Sequence, residues 1–255
     1  MDAPRANHVL RWSHGGLEER ADELAIEEPL EIRVRGRAVS VTMRTPGHDD
    51  ELAAGFLLSE GVIAQPTDVV RVEPCDRADE GHGGNGGNGG NVVNAVLEPT
   101  VHVDFDRLTR HVFASSSCGL CGKVVIEALH GQFKPIAGDA TIDASVLLQL
   151  PARMHASQRT FHRTGGLHAA ALFDTGGELI VLREDVGRHN AVDKVLGHAL
   201  LHRLLPLDRH VLLVSGRASF EIMQKALAGR IPIVAAVSAP SSLAVDFAAE
   251  RPFLG

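Results

Sequence analysis

The sequence predicts an α/β fold, and two features of the chain point to it. From His168 onward, apolar runs of strand length alternate with amphipathic runs of helical length, and short glycine-bearing turns join them. This alternation is typical of a largely parallel sheet covered by helices. The 255 residues are 44% hydrophobic, and a chain of this size lies near the point at which one core divides into two. We therefore predict two domains.

The first domain is predicted to be α+β and to span residues 1–140. Apolar and polar side chains alternate over 30–43 on both sides of a turn at Gly36, which is the pattern of a β-hairpin. The further predicted elements are a helix over 49–61, capped by Asp49 or Asp50, strands over 68–73 and 92–98, and a helix beginning at 124–129. The glycine- and asparagine-rich tract GHGGNGGNGGN is interpreted as a flexible insertion.

The second domain is predicted over residues 141–255, with a mostly parallel sheet. It opens with a helical pattern over 143–154 that Pro151 breaks near its end. Asn190 is placed to cap a long helix. The alternating elements that follow are strands over 168–174, 177–185, 210–216 and 231–238 and helices over 190–205, 219–229 and 242–250. Because ligands bind at the carboxyl ends of strands in such sheets, the turns after these strands are candidate sites.

Composition and charge exclude several classes of function. The net charge of -7 and the pI near 6.0 argue against a nucleic-acid partner, since binding phosphates along a strand requires a basic face. Three cysteines cannot all pair, which favours a reducing compartment. The N-terminal residues lack the pattern of a secretion signal, and no apolar run approaches the roughly 20 residues that span a bilayer. We expect a cytoplasmic protein without a membrane partner.

Two of the three cysteines, Cys118 and Cys121, lie in the segment SSSCGLCGK. A cysteine acts through its thiolate, which a helix N-terminus or a neighbouring cation such as Lys123 favours. A structural zinc site needs four ligands, and Cys75 is isolated, so no metal site is predicted. A zinc deaminase motif is absent. A thioredoxin-like dithiol and a persulfide carrier both fit the pair, and the residues alone leave the two alternatives open.

Polar residues cluster in two turns that follow strands and open helices. A helix N-terminus favours a phosphate, an arginine can bind one with two hydrogen bonds, and glycine permits close backbone approach. We interpret Glu184 and Asp193 as ordinary turn and helix residues, and His168 as a buried histidine in a tight turn. The candidate residues for an anionic, nucleotide-bearing ligand are Arg188, His189, Ser215, Gly216, Arg217 and Lys225.

The order of several segments resembles the formate dehydrogenase accessory sulfurtransferase family. The resemblance runs from about Glu27 to about Ala249, and its most specific segment is REDVGRHNAVDK, together with VTMRTPGHDDELAAGFLLSEG, SSSCGLCGK, TGGLHAAAL, SGRASFE and AVSAPSSLAV. It implies a protein that takes sulfur as a persulfide from a cysteine desulfurase and passes it to the molybdenum cofactor of formate dehydrogenase. It places the sulfur on Cys118, with Cys121 assisting or sharing that role.

The resemblance also carries expectations about fold, ligand and partners. It implies that the second domain is similar to cytidine deaminase without the deaminase metal motif, and that the bound cofactor is the guanine dinucleotide form of molybdopterin. The catalytic subunit of formate dehydrogenase and a second copy of the chain are the expected protein partners. Members of the family continue beyond the position of AAERPFLG, so we expect the second domain to be short at its C-terminus. The alternative function is a cofactor-binding chaperone that performs no sulfur chemistry.

Overall fold

The chain forms two four-stranded sheets, each with helices packed against it. The computed structural model describes residues 4–75, 90–106, 108, 133, 136 and 140–250. The strands are β1 (Arg5–Ser13), β2 (Gly16–Leu24), β3 (Glu28–Val34), β4 (Arg37–Arg44), β5 (Val69–Pro74), β6 (Val92–Leu97), β7 (His168–Asp174), β8 (Leu179–Asp185), β9 (His210–Arg217) and β10 (Ile233–Ser238). The helices are α1 (Asp49–Ser59), α2 (Ala144–Leu147), α3 (Leu150–Ser157), α4 (Arg159–Thr164), α5 (Arg188–Leu201), α6 (Phe220–Ala228) and α7 (Ser242–Glu250).

The N-terminal sheet has the strand order β4-β3-β6-β5. β3 and β4 form the predicted hairpin, and β3 also pairs in parallel with β6. Leu30, Ile32 and Val34 alternate along β3 and are all buried, because side chains two residues apart lie on the same face of a strand. The hydrophobic alternation in the sequence therefore identified this core face correctly.

The C-terminal sheet has the strand order β10-β9-β7-β8 and is mixed. Only β9 and β10 pair in parallel, whereas β7 pairs antiparallel with both β8 and β9. The α/β fold class is confirmed, but the prediction of a mostly parallel sheet is wrong. The physical reason is the short turn between β7 and β8, which is too short for the crossover that parallel strands require and makes them a hairpin.

Helices α1 and α5 lie between the two sheets, and one apolar core runs through both helices to the inner faces of both sheets. The helices approach closely at two glycines. A Cβ atom at Gly55 would lie 1.8 Å from the carbonyl oxygen of Asp193, and one at Gly197 would lie 1.8 Å from that of Glu51. The domain boundary predicted between residues 140 and 141 stays a prediction. The buried core contains residues from both sides of it.

Three predicted helix ends differ from the structure. Pro151 lies in the first turn of α3 instead of ending a helix, because proline fits where no intrahelical N–H bond is needed. The N-cap of α1 is His48, and Asp49 lies within the helix and pairs with Arg44. The N-cap of α5 is Gly187, so Asn190 is inside the helix, where its side chain bonds to Met43 and Asp185.

A separate hairpin of β1 and β2 precedes the first sheet and was not predicted. Its charged and apolar residues do not give a buried face, and the large apolar side chains Leu10, Trp12 and Leu17 are exposed. Arg163 on α4 holds the base of this hairpin through two hydrogen bonds of 2.6 Å to Glu23. The predicted glycine- and asparagine-rich insertion, apart from its last residues, and the helix predicted at 124–129 lie outside the described residues.

Candidate functional site

The ends of three strands meet at one edge of the C-terminal sheet. Because β7 is antiparallel to both neighbours, its first residue lies beside the last residues of β8 and β9. His168 pairs with Asp185 across β7 and β8, and the backbone N–H of Ala169 donates a hydrogen bond of 2.9 Å to Ser215 Oγ. The turns that follow β8 and β9, which the sequence singled out, therefore lie next to each other.

Arg188, His168 and Gly216 form what we call the anion cluster. A Cβ atom built on Gly216 would lie 3.6 Å from Arg188 Cδ and 3.8 Å from His168 Nδ1. A side chain at Gly216 would thus contact the aliphatic part of Arg188 and the imidazole of His168, so the open backbone of Gly216 lies beside both residues. Arginine and histidine nitrogens beside an open backbone are chemically suited to bind the oxygens of an anion.

Two nitrogens in the first turn of α5 are buried without a hydrogen-bond partner among the described residues. They are Arg188 Nε and His189 Nε2. Buried polar atoms are normally bonded to protein or to ordered water, so these unpaired nitrogens are available to a ligand. Arg188 and His189 lie in the first turn of α5, where the helix dipole also favours negative charge.

The surroundings of His168 and His189 lower the pKa of both imidazoles. Burial, followed by the charge of Arg188, lowers the pKa of His168, while Asp185 acts in the opposite direction. Burial, followed by the charges of Lys225 and Arg188, lowers the pKa of His189. A bound anion would reverse part of this effect, because it stabilises an imidazolium.

The other predicted ligand residues have different surroundings. Lys225 on α6 forms an ion pair with Asp193, with its Nζ atom 2.7 Å from the carboxylate, and the hydroxyl of Ser59 donates to the same carboxylate. The charge of Lys225 nevertheless contributes to the lowered pKa of His189. Arg217, at the end of β9, is exposed. The structure thus brings together Arg188, Ser215 and Gly216, with His189 beside them.

A buried polar group, here called the Asp185 cluster, lies next to the anion cluster. It was not predicted from the sequence. It consists of Asp185, Lys194, Asn190 and Thr45. The carboxylate of Asp185 and the ammonium of Lys194 are 2.7 Å apart, and both side chains are 0% exposed. Lys194 also donates to the carbonyl oxygen of Thr45 at 2.8 Å. Buried charges of this kind persist only when they are paired and hydrogen-bonded.

A second polar group, the Glu51 cluster, joins α1 to β8 and α5 at another point of the interface. Arg183 donates two hydrogen bonds to the carboxylate of Glu51, at 2.5 and 2.6 Å, and His198 Nδ1 lies 2.9 Å from the same carboxylate. Most polar residues of the segment Arg183–Lys194 therefore bind the first half of the chain. Glu184 instead accepts the backbone N–H groups of Thr160 and Phe161 at the start of α4.

The predicted sulfur-carrying residues, Cys118 and Cys121, lie outside the described residues. Cys75, the third cysteine, is free and half-buried. In the part of the chain that the structure describes, no three His, Cys, Asp or Glu side chains are grouped closely enough to hold a metal ion. None of the described helices is long and apolar enough to cross a membrane.

Fold and site define a two-sheet α/β protein with an arginine and a histidine beside an open glycine backbone at the ends of its strands. The model of the FdhD/NarQ family matches residues 25–252, and the chain belongs to that family, as the sequence predicted. It is 53% identical over 245 residues to the sulfur carrier protein FdhD of Streptomyces coelicolor, covering 95% of this chain and 86% of that one. It is 52% identical over 231 residues to the protein of the same name from Mycobacterium tuberculosis, covering 90% and 83%.

A solved structure shares the fold. The crystal structure of a proposed formate dehydrogenase accessory protein from Desulfotalea psychrophila superimposes with a TM-score of 0.74 and covers 98% of this chain and 90% of that one. The sequence identity is 24%, so this likeness establishes the fold and nothing finer.

Proposed function

We propose that the protein is a sulfur carrier that receives sulfane sulfur from a cysteine desulfurase and delivers it to the molybdenum cofactor of formate dehydrogenase. The observation that carries this proposal is the identity of about half of all residues, over nearly the whole chain, with proteins named as sulfur carriers.

Cys118 is the proposed acceptor of sulfur. Its thiolate attacks the outer sulfur of a persulfide on the donor, the new S–S bond forms on Cys118, and the donor's own sulfur leaves as a thiolate. No net oxidation occurs in this exchange. For release, the thiolate of Cys121 attacks Cys118 Sγ, so that a disulfide forms and the outer sulfur leaves as hydrosulfide. Cellular thiols then reduce the disulfide; in the alternative arrangement Cys121 is a second carrier.

The anion cluster is the proposed place for the phosphates of the client cofactor, the guanine dinucleotide form of molybdopterin. Arg188, His168 and the backbone at Gly216 would bind phosphate oxygens, and the unpaired nitrogens of Arg188 and His189 supply donors that the described residues do not use. Ser215, Arg217 and Lys225 stay predicted contributors. The formate dehydrogenase catalytic subunit is the proposed recipient, and a homodimer stays a prediction.

Intact mass measurement tests the sulfur-carrying step. After incubation with a cysteine desulfurase and cysteine, the wild-type protein should gain about 32 Da, the mass of one sulfur atom. The Cys118→Ala variant should not gain it. Cys75→Ala is the matched control, since Cys75 lies at the end of β5 with its backbone bonded to Val92, and it should gain the same mass as the wild type. A wild-type protein that stays unmodified would contradict the proposal.

The cofactor-binding chaperone is the second candidate, and the anion cluster is the observation that favours it. In that case the cysteines contribute no chemistry. Replacing both Cys118 and Cys121 by alanine would then leave formate dehydrogenase activity in cells intact, whereas the sulfur-carrier proposal requires that activity to be lost.

A further inference from the structure

Thr45, directly after β4 in the N-terminal sheet, is bonded through two of its groups to the end of β8 and through a third to α5. Its backbone N–H donates to Asp185 Oδ2 at 3.2 Å, and its carbonyl oxygen accepts from Lys194 Nζ at 2.8 Å. Its hydroxyl accepts from the backbone N–H of Val186 at 3.1 Å. Thr45 is 3% exposed, so water does not compete for these bonds.

The carboxylate of Asp185 extends this contact to the turn that carries the anion cluster. Its Oδ1 atom accepts from the backbone N–H of Gly187 at 2.8 Å and from Asn190 Nδ2 at 3.0 Å. Together with the bonds from Thr45 and Lys194, the carboxylate has four donors. A carboxylate accommodates about four such bonds, so this buried charge is fully satisfied.

The turn has little room to move within this arrangement. A Cβ atom on Gly187 would lie 2.8 Å from Asn190 Nδ2 and 3.4 Å from Asp185 Oδ1. Arg188 and His189 follow Gly187 directly. The position of Arg188 beside Gly216, and that of His189 after it, therefore depends on the bonds from Thr45 as well as on the path of β8.

We infer that Thr45 is a positioning residue for the anion cluster. Through its bonds to Val186 and Asp185, it fixes the turn that places Arg188 and the neighbouring His189. The inference rests on the proposed function of the anion cluster as a phosphate site. It extends that site across the interface between the sheets, so that a residue that touches no ligand sets the ligand affinity. A displacement of a few tenths of an ångström in a positioning contact is sufficient to weaken hydrogen bonds to an anion.

Substitutions at Thr45 test this more cleanly than substitutions at Asp185, because removing the carboxylate would leave the charge of Lys194 buried and unpaired. Thr45→Val keeps the size and the backbone groups but removes the acceptor for Val186. Thr45→Ser keeps the hydroxyl and should rescue the effect. Glu51→Gln is the matched control, because it weakens the Glu51 cluster, which joins α1 to β8 and α5 across the same interface without a bond to the 186–187 turn.

The probe is GDP, with dissociation constants measured by calorimetry and melting temperatures measured for each variant. We expect Thr45→Val to weaken GDP binding by about fivefold or more, and Thr45→Ser to stay within about twofold of the wild type. Glu51→Gln should lower the melting temperature but also keep the affinity within about twofold. Unchanged GDP affinity in Thr45→Val would overturn the inference. Equal weakening in Glu51→Gln would also overturn it, since it would show a general loss of the interface.

A measurement without ligand distinguishes a failure of the positioning role of Thr45 from a failure of the proposed phosphate site. In an NMR titration, the pKa of His189 should move toward its ordinary value in Thr45→Val, since the turn would open to water, and stay unchanged in Thr45→Ser. An unchanged pKa in Thr45→Val would count against the positioning role even if GDP does not bind. A wild-type protein that fails to bind GDP while His189 responds as expected would refute the phosphate site alone.

Discussion

His189 is a proposed ligand of the bound anion, and it also makes the free energy of unfolding depend on pH. Burial and two neighbouring cations lower its pKa, and its Nε2 atom is unpaired among the described residues. A histidine whose pKa is lower in the folded state contributes stability above its unfolded pKa of about 6.5. That contribution is lost as the pH falls from there toward the folded pKa, because the unfolded chain takes up the proton first.

We therefore expect the free energy of unfolding to fall between about pH 7.5 and pH 5.5, and His189→Gln to remove on the order of 1 kcal/mol of that decrease. Urea unfolding at both pH values measures it. His8→Gln, on the exposed β1–β2 hairpin, is the control and should leave the dependence as in the wild type. A decrease of the same size in His189→Gln and the wild type would show that His189 does not titrate in this way.

Individual residues also show what the sequence could and could not indicate about the site. Arg188 and Gly216 were predicted because their residue types and positions after strands are informative on their own. The role of Thr45 has no such signal, since its partners Asp185 and Lys194 are 140 and 149 positions away in the chain. His168 was interpreted as a buried histidine, because only the antiparallel pairing of β7 places it beside Arg188.

At the scale of elements, α1 and α5 approach each other closely at two glycines. Gly55 and Gly197 each face the backbone of the other helix, which cannot move aside as a side chain can. In an exposed helix, replacing glycine by alanine stabilises by about 1 kcal/mol. Here the added Cβ atom would overlap a carbonyl group, and the two helices would have to separate.

Gly55→Ala should therefore destabilise the protein by about 2 kcal/mol or more, as other overpacked cores do. Urea unfolding at neutral pH provides the measurement. Gly15→Ala in the turn between β1 and β2 is the control, since its Cβ atom would meet only Ser13 Oγ at 3.9 Å, and it should change stability by less than about 0.5 kcal/mol. Stabilisation by Gly55→Ala would mean that the helices are farther apart than described.

The elements themselves were largely predictable, and their pairing was not. Hydrophobic alternation located β3 and β4, and helical spacing located α1, because both signals depend on neighbouring residues. The mixed order of the C-terminal sheet depends on which strands meet in space, and the β1–β2 hairpin has no buried face to produce a periodic signal. Asn190 has the residue type of a helix cap, but its amide bonds across the interface to Met43 instead.

At the scale of the whole molecule, ionic groups join the first and second halves of the chain, and the Glu51 cluster, between α1 and both β8 and α5, can be tested by lowering the pH. Burial alone would raise the pKa of the Glu51 carboxyl, but hydrogen bonds from Arg183 and His198 outweigh burial and lower it. A carboxyl with a lowered pKa contributes stability above its unfolded pKa, which is about 4.3. That contribution disappears as the pH falls through the folded value, where the carboxyl becomes protonated.

Glu51→Gln should therefore be most destabilising at neutral pH, by about 3 kcal/mol, since it leaves Arg183 without its charged partner. The difference in unfolding free energy from the wild type should shrink as the pH is lowered from about 7 to below about 4, where the wild type has also lost the charge. Urea unfolding across this range measures the difference, and Glu19→Gln on the exposed hairpin is the control. A difference that stays constant with pH would mean that packing at Glu51, and not its charge, holds the two sheets together.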